Sequence, residues 1–165
     1  RAQWQEWVPH RDDVYIDGYA LFDGFTAIAE RSQGLERIRL LKAGADPAAG
    51  SEYVKADEPA YSMGFATNAE GDTPWLRYTY TSLTTPATTY ELNVQTGERR
   101  MLKQQPIIGY DPSKYVTERV WATARDGTRI PVSLVYRKGF QKDGTAALLQ
   151  YAYGSYGISM DPNFN

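Results

Sequence analysis

Near the end of this 165-residue chain, Leu148-Leu149-Gln150-Tyr151 opens into Ala152-Tyr153-Gly154-Ser155-Tyr156-Gly157, an apolar run meeting a tyrosine- and glycine-rich turn. Turns at strand ends are held still by the sheet beneath them, and α/β enzymes place substrate-touching groups there. Tyr153 would present a phenol at this junction. A phenol keeps its proton at neutral pH and donates to an oxyanion as charge develops. Spacing alone also leaves a packing role open for Tyr151 and Tyr153, since most buried tyrosines bury the ring and satisfy the hydroxyl at its edge.

What such a donor would serve is missing. A nucleophile elbow is Gly-x-Ser-x-Gly, and before Ser155 the first glycine position is taken by Tyr153, so Ser155 reads as a turn residue. The single histidine, His10, sits in the polar stretch Pro9-His10-Arg11-Asp12-Asp13 and reads as a surface or domain-contact residue. A catalytic triad needs its histidine within hydrogen-bond reach of the nucleophile. One histidine and no cysteine leave only scattered carboxylates, so no metal is expected. Glycines punctuate turns without forming a phosphate loop, and no cofactor is expected either.

The formal net charge of -2, with no basic run, argues against nucleic acid or an anionic membrane surface as partner. No stretch approaches transmembrane length and no signal peptide is visible. Lack of cysteine excludes disulfide and thiolate chemistry and leaves the compartment open.

The elements that must position Tyr153 are strands. Thirteen tyrosines, four tryptophans and many threonines favour β structure, and no segment keeps a 3.6-residue apolar period. Residues 4–9 are expected to form a first strand. Residues 19–22 and 25–31 flank Asp23-Gly24, the pairing that favours a type I′ turn with positive φ at both positions. Ser32-Gln33-Gly34 makes the next turn, 35–41 a strand with Glu36, Ile38 and Leu40 on one face, 42–51 a loop, and 52–56 a closing strand. The pattern repeats with strands at 61–66, 75–81, 88–94 and 98–103, where Leu76, Tyr78 and Tyr80 share a face. Two meanders of about four strands, roughly 40 to 50 residues each, match the length of a propeller blade, although spacing alone fits a sandwich as well.

Residues 104–113, with Pro106, Gly109 and Pro112, form the linker candidate. Beyond it, strands 115–124 and 129–137 flank Asp126-Gly127. A two-residue turn there sets Trp121 opposite Val132 and Thr123 opposite Ile130. A loop over 138–145 and an apolar strand over 146–151 complete the expected series.

Tyr151-Ala152-Tyr153-Gly154-Ser155-Tyr156-Gly157, preceded by Arg129-Ile130-Pro131-Val132-Ser133-Leu134-Val135-Tyr136, resembles the start of the catalytic domain of prolyl oligopeptidase-family serine peptidases. Trp7-Val8-Pro9-His10-Arg11-Asp12-Asp13-Val14, the stretch from Leu76-Arg77-Tyr78 to Thr84-Thr85-Pro86, and that from Glu91-Leu92 to Thr96-Gly97-Glu98-Arg99-Arg100 resemble its oligopeptidase B branch. The resemblance covers nearly the whole chain and implies an internal piece of a much longer protein. The chain would be mostly β, with the last blades of a β-propeller over residues 1–105 and the first strands of an α/β-hydrolase peptidase domain over 106–165.

In that family the second tyrosine of Tyr-x-Tyr-Gly donates to the oxyanion, which implies that role for Tyr153. The aromatic three residues on lines the primary specificity pocket, which implies substrate binding by Tyr156. Ala152 stands where the family has glycine. The nucleophile, aspartate and histidine of the triad, and the acidic residues that select a basic side chain, are implied to lie downstream. The parent would hydrolyse short peptides after Arg or Lys through an acyl-enzyme in the cytoplasm, with the periplasm as the other location, and this chain alone would be inactive. Its partners would be peptide substrates and the remainder of the parent chain. Two rivals have the same strand pattern: a non-catalytic propeller-type binding module, and an acylaminoacyl- or dipeptidyl-peptidase relative.

Overall fold

Antiparallel strands joined by short turns make up nearly all the regular structure in the computed structural model, which describes residues 3–48 and 51–165. Strands β1 (Val14–Leu21), β2 (Phe25–Ser32), β3 (Leu35–Lys42) and β4 (Glu52–Tyr53) form one sheet in chain order. Strands β5 (Tyr61–Phe65), β6 (Trp75–Ser82), β7 (Thr88–Asn93) and β8 (Arg99–Gln104) form a second. After a single 3-10 turn (Pro112–Lys114), β9 (Tyr115–Thr123) and β10 (Arg129–Arg137) pair as an isolated hairpin. The two meanders are those expected from alternation and turn residues. Residues 49–50 of the expected 42–51 loop lie outside the described residues.

The core lies between the two sheets. Phe25, Ala27, Ile38, Leu40 and Val54 from the first meet Met63, Leu76, Tyr78, Tyr80 and Val94 from the second. Burial on β6 alternates as expected, with Leu76, Tyr78 and Tyr80 inside and Arg77 and Thr79 outside. Tyr61 stacks on Tyr80 with ring centroids 5.7 Å apart, and Tyr78 on Tyr90 at 5.6 Å. Aromatic pairs like these contribute beyond their buried area, on the order of 1 kcal/mol each.

The reverse face of the first sheet is buried as well, and there a charged cluster sits beside apolar Ile28 and Leu41. Glu30 is fully buried, with Arg11, Arg37 and Arg39 around its carboxylate. Tyr53 adds a hydroxyl donor at 3.4 Å. A buried carboxylate is tolerated only when paired and hydrogen-bonded.

Four expectations are corrected. Residues 4–9 form no strand, and the first one starts at Val14, because no neighbouring strand offers its ladder to that segment among the described residues. Asp23-Gly24 does turn β1 into β2, yet neither residue has positive φ. Its backbone is held from outside instead, Asp23 N–H donating to the Gly71 carbonyl at 2.9 Å and Ala43 N–H to the Gly24 carbonyl at 3.0 Å. Within the first sheet, the turn with positive φ at both central residues is Gln33-Gly34, at 51° and 75°. In the β9–β10 hairpin, Trp121 faces Pro131 and Thr123 faces Arg129. The connection is the three-residue loop Arg125-Asp126-Gly127, closed by Ala124 N–H on the Thr128 carbonyl at 2.8 Å, with Gly127 at φ 86°. Three-residue loops place glycine in the left-handed region and move the register by one. Finally, residues 146–151 form no strand and stand in solvent, since an apolar run becomes a strand only beside a partner and none of the described residues pairs with it.

Candidate functional site

The tyrosine-rich segment leaves the hairpin as an exposed excursion and is tied down again beyond it. Tyr153 is 48% exposed and Tyr156 92%. Tyr156 has φ 56° and Gly157 φ 67°, and Ile158 N–H closes the bend on the Ser155 carbonyl at 3.1 Å. A non-glycine residue at positive φ is uncommon and marks a constrained turn. Past this bend the chain meets the sheets. Asp161 takes both prongs of the Arg31 guanidinium, Nη1 to Oδ1 at 2.6 Å and Nη2 to Oδ2 at 3.1 Å. The Asp161 hydrogen bonds hold the Arg31 guanidinium above its ordinary value. Pro162 is buried, Phe164 N–H donates to Thr81 Oγ1 at 3.2 Å, and the Phe164 ring meets Tyr110 edge-on at 5.0 Å.

The hairpin that precedes the excursion is seated on the same two sheets. Arg119 Nη2 donates to the Gln33 carbonyl at 2.5 Å, and burial lowers the Arg119 guanidinium from its ordinary value. On the second sheet, Tyr110 donates to the Thr84 carbonyl at 2.6 Å, and Thr117 on β9 meets Thr84 at 2.8 Å between hydroxyl oxygens. Glu58 gathers this joint. It accepts from Thr85 Oγ1 at 2.7 Å, Tyr80 OH at 3.2 Å and Thr117 Oγ1 at 3.5 Å, and also from Thr84 Oγ1. Burial, followed by the Glu58 charge and hydrogen bond, pushes the Tyr80 phenol well up.

Tyr153 and Tyr156 are thus carried on one short exposed segment, and the described residues bring no nucleophile or base to them. Ser155 occupies the bend, while His10 Nε2 lies 3.0 Å from Asp12 Oδ1 on the surface. No group of His, Cys, Asp and Glu suited to a metal occurs among the described residues. None of their helices is long and apolar enough to cross a membrane. Sequence reasoning missed Glu30, Glu36, Glu58 and the Arg31–Asp161 pair. The one available signal was a charge at a position whose strand neighbours are apolar, as at Glu30 after Ala27-Ile28-Ala29.

A family model described as the prolyl oligopeptidase N-terminal β-propeller domain matches residues 1–105. Dipeptidyl aminopeptidase BI of Pseudoxanthomonas mexicana is 65% identical over 100% of this chain and 22% of that protein. Protease 2 of Moraxella lacunata is 36% identical over 96% of this chain and 22% of its own length. Among solved structures, oligopeptidase B from Trypanosoma brucei with covalently bound antipain, in a closed form, superposes at a TM-score of 0.83 with 35% identity. It is covered over 23% of its length by 96% of this chain. Oligopeptidase B from Leishmania major gives a TM-score of 0.85 at 32% identity, with 99% of this chain on 24% of that one. The chain therefore spans under a quarter of the length of these relatives. The match through residue 105, the two stacked meanders and these peptidase relatives agree: the chain belongs to the prolyl oligopeptidase family of peptidases.

Proposed function

We propose that the chain is the part of a serine peptidase in which a β-propeller, ending near residue 105, meets the first strands of the peptidase domain over residues 106–165. The observation that carries this reading is the match of the Pseudoxanthomonas relative over 100% of the chain, which runs past residue 105 and takes in Tyr151-Ala152-Tyr153-Gly154. In this reading Tyr153 donates its hydroxyl to the oxyanion of an acyl-transfer step, and Tyr156 lines the pocket for the side chain before the cleaved bond. The whole protein hydrolyses short peptides after Arg or Lys, with the triad elsewhere in its sequence.

A second reading of specificity has an observation in its favour. The 65%-identical relative is named a dipeptidyl aminopeptidase, which supports release of dipeptides from a free amino terminus in place of internal cleavage. Blocking the substrate's amino group separates the two: an oligopeptidase keeps its activity and a dipeptidyl peptidase loses it.

The test of the site is Tyr153→Phe in the full-length enzyme, with Tyr151→Phe as control. An oxyanion donor acts only as charge develops, so its loss falls on turnover more than on ground-state binding. Loss of one such donor costs on the order of a hundredfold to a thousandfold in kcat. Turnover of Tyr153→Phe within about twofold of wild type would remove the assignment, since a donor effect is much larger.

A further inference from the structure

We propose that Asp161, Arg31 and Glu36 form a relay that makes the position of the Tyr153–Tyr156 segment depend on closure of the seam between the two sheets. This rests on the assignment of Tyr153 and Tyr156 above.

Arg31 and Glu36 are register partners on β2 and β3, at the end of the seam-facing row where Ala27, Ile38 and Leu40 give way to charge. Arg31 Nη2 donates to Glu36 Oε1 at 3.0 Å while the guanidinium also forks onto Asp161. The other oxygen of Glu36 crosses the seam. Oε2 accepts from Ser62 Oγ at 2.5 Å and from Met63 N–H at 3.2 Å, both on β5. Each oxygen of one carboxylate therefore serves a different sheet, and one guanidinium joins that carboxylate to the tail.

These are not loose surface pairs. The side chains of Arg31, Glu36 and Asp161 are only 21%, 27% and 21% exposed, and forked guanidinium–carboxylate bonds are directional as well as strong. Asp161 follows Tyr156 closely in sequence, and the exposed residues between them make few contacts with the sheets. The first hold on that segment's path is accordingly Asp161, with Pro162 and Phe164 anchored behind it. If β5 draws away from β3, Glu36 loses two donors, turns, and stops orienting Arg31. Asp161 then loses the fork that holds it. The side chains of Tyr153 and Tyr156 move without any change at the tyrosines themselves.

The experiment uses the full-length enzyme with Asp161→Asn, Glu36→Gln, the double variant and Arg31→Lys, all close in size to the residues replaced. Turnover is read on Arg-Arg-coumarylamide with a free amino terminus, which both specificity readings accept. Amide hydrogen exchange over residues 154–160 reads the segment independently of chemistry. Each single variant lowers kcat about tenfold with KM moved less than about threefold, because misplacing a catalytic group by about 1 Å costs up to about a hundredfold. The double variant is no worse than the worse single one, since Glu36 and Asp161 act only through Arg31. Arg31→Lys keeps the charge, loses the fork and behaves like the double. Exchange over 154–160 quickens in every variant. Independent losses multiplying to about a hundredfold in the double variant, or unchanged exchange over 154–160, would overturn the relay. Faster exchange with unchanged kcat would uphold the relay and remove the role given to Tyr153.

Discussion

Arg119 on β9 donates to the main-chain carbonyl of Gln33, 2.5 Å away, and so pins the hairpin to the turn between β2 and β3, whose central residues Gln33 and Gly34 both have positive φ. The contact depends on the bare backbone next to it. A Cβ at Gly34 would sit 3.1 Å from Arg119 Nη2 and 3.2 Å from Pro131 Cγ.

Gly34→Ala is therefore expected to cost more than the left-handed conformation alone, which is worth about 1–2 kcal/mol for an alanine. Gly97→Ala is the reference, because Gly97 has nearly the same φ, +76° against +75°, with nothing within 4 Å. Chemical denaturation of both variants checks this. Equal losses would mean that the hairpin yields freely at Gly34.

Glu30→Gln removes the charge on which Arg11, Arg37 and Arg39 converge. Breaking a buried ion network from one side typically costs about 3–5 kcal/mol, because uncompensated charge stays buried. Glu98→Gln, which touches an exposed, solvent-screened pair with Arg100, costs far less. Urea midpoints that shift alike for the two variants would contradict the account of the buried face.

Tyr80 sets an alkaline limit. A free phenol titrates near pH 10, and burial with Glu58 beside it raises the folded value. Below about pH 10 both folded and unfolded chains hold the proton, and the contribution to stability is whole. As pH rises from there towards the folded value, the unfolded chain releases a proton that the folded chain keeps, and stability falls. Tyr61, Tyr78 and Tyr90 are shifted in the same direction, each chiefly by burial. Tyr80→Phe is expected to flatten the fall in unfolding free energy above pH 10. Parallel curves for wild type and variant would sink the assignment.

The 165-residue chain by itself is expected to be silent as a peptidase, since Ser155 lacks the elbow and His10 is engaged with Asp12. A serine-directed fluorophosphonate should leave it unlabelled. Stoichiometric labelling at any serine of the chain would show that the nucleophile had been sought in the wrong place.

Both meanders could be read from the residues, because alternation such as Leu76-Arg77-Tyr78-Thr79-Tyr80 obeys the two-residue period of a strand whatever surrounds it. Tyr153 and Tyr156 were singled out as members of a motif contiguous in sequence, and their proposed roles rest on that motif. Turn geometry and pairing were decided elsewhere. Asp23-Gly24 gave up its preferred turn to bonds with Gly71 and Ala43, which are distant in the chain or belong to another turn. Gly127 took the left-handed position in a three-residue loop and moved Trp121 from Val132 to Pro131. Apolar residues 146–151 remained outside any sheet, because a strand exists only with a partner. The charged groups depended most on tertiary structure. A sequence can show that Arg31 and Glu36 are charged, but a carboxylate's partners are whichever donors the packed sheets bring within about 3 Å. Only the approach of β5 and the return of the tail placed Ser62, Met63 and Asp161 there.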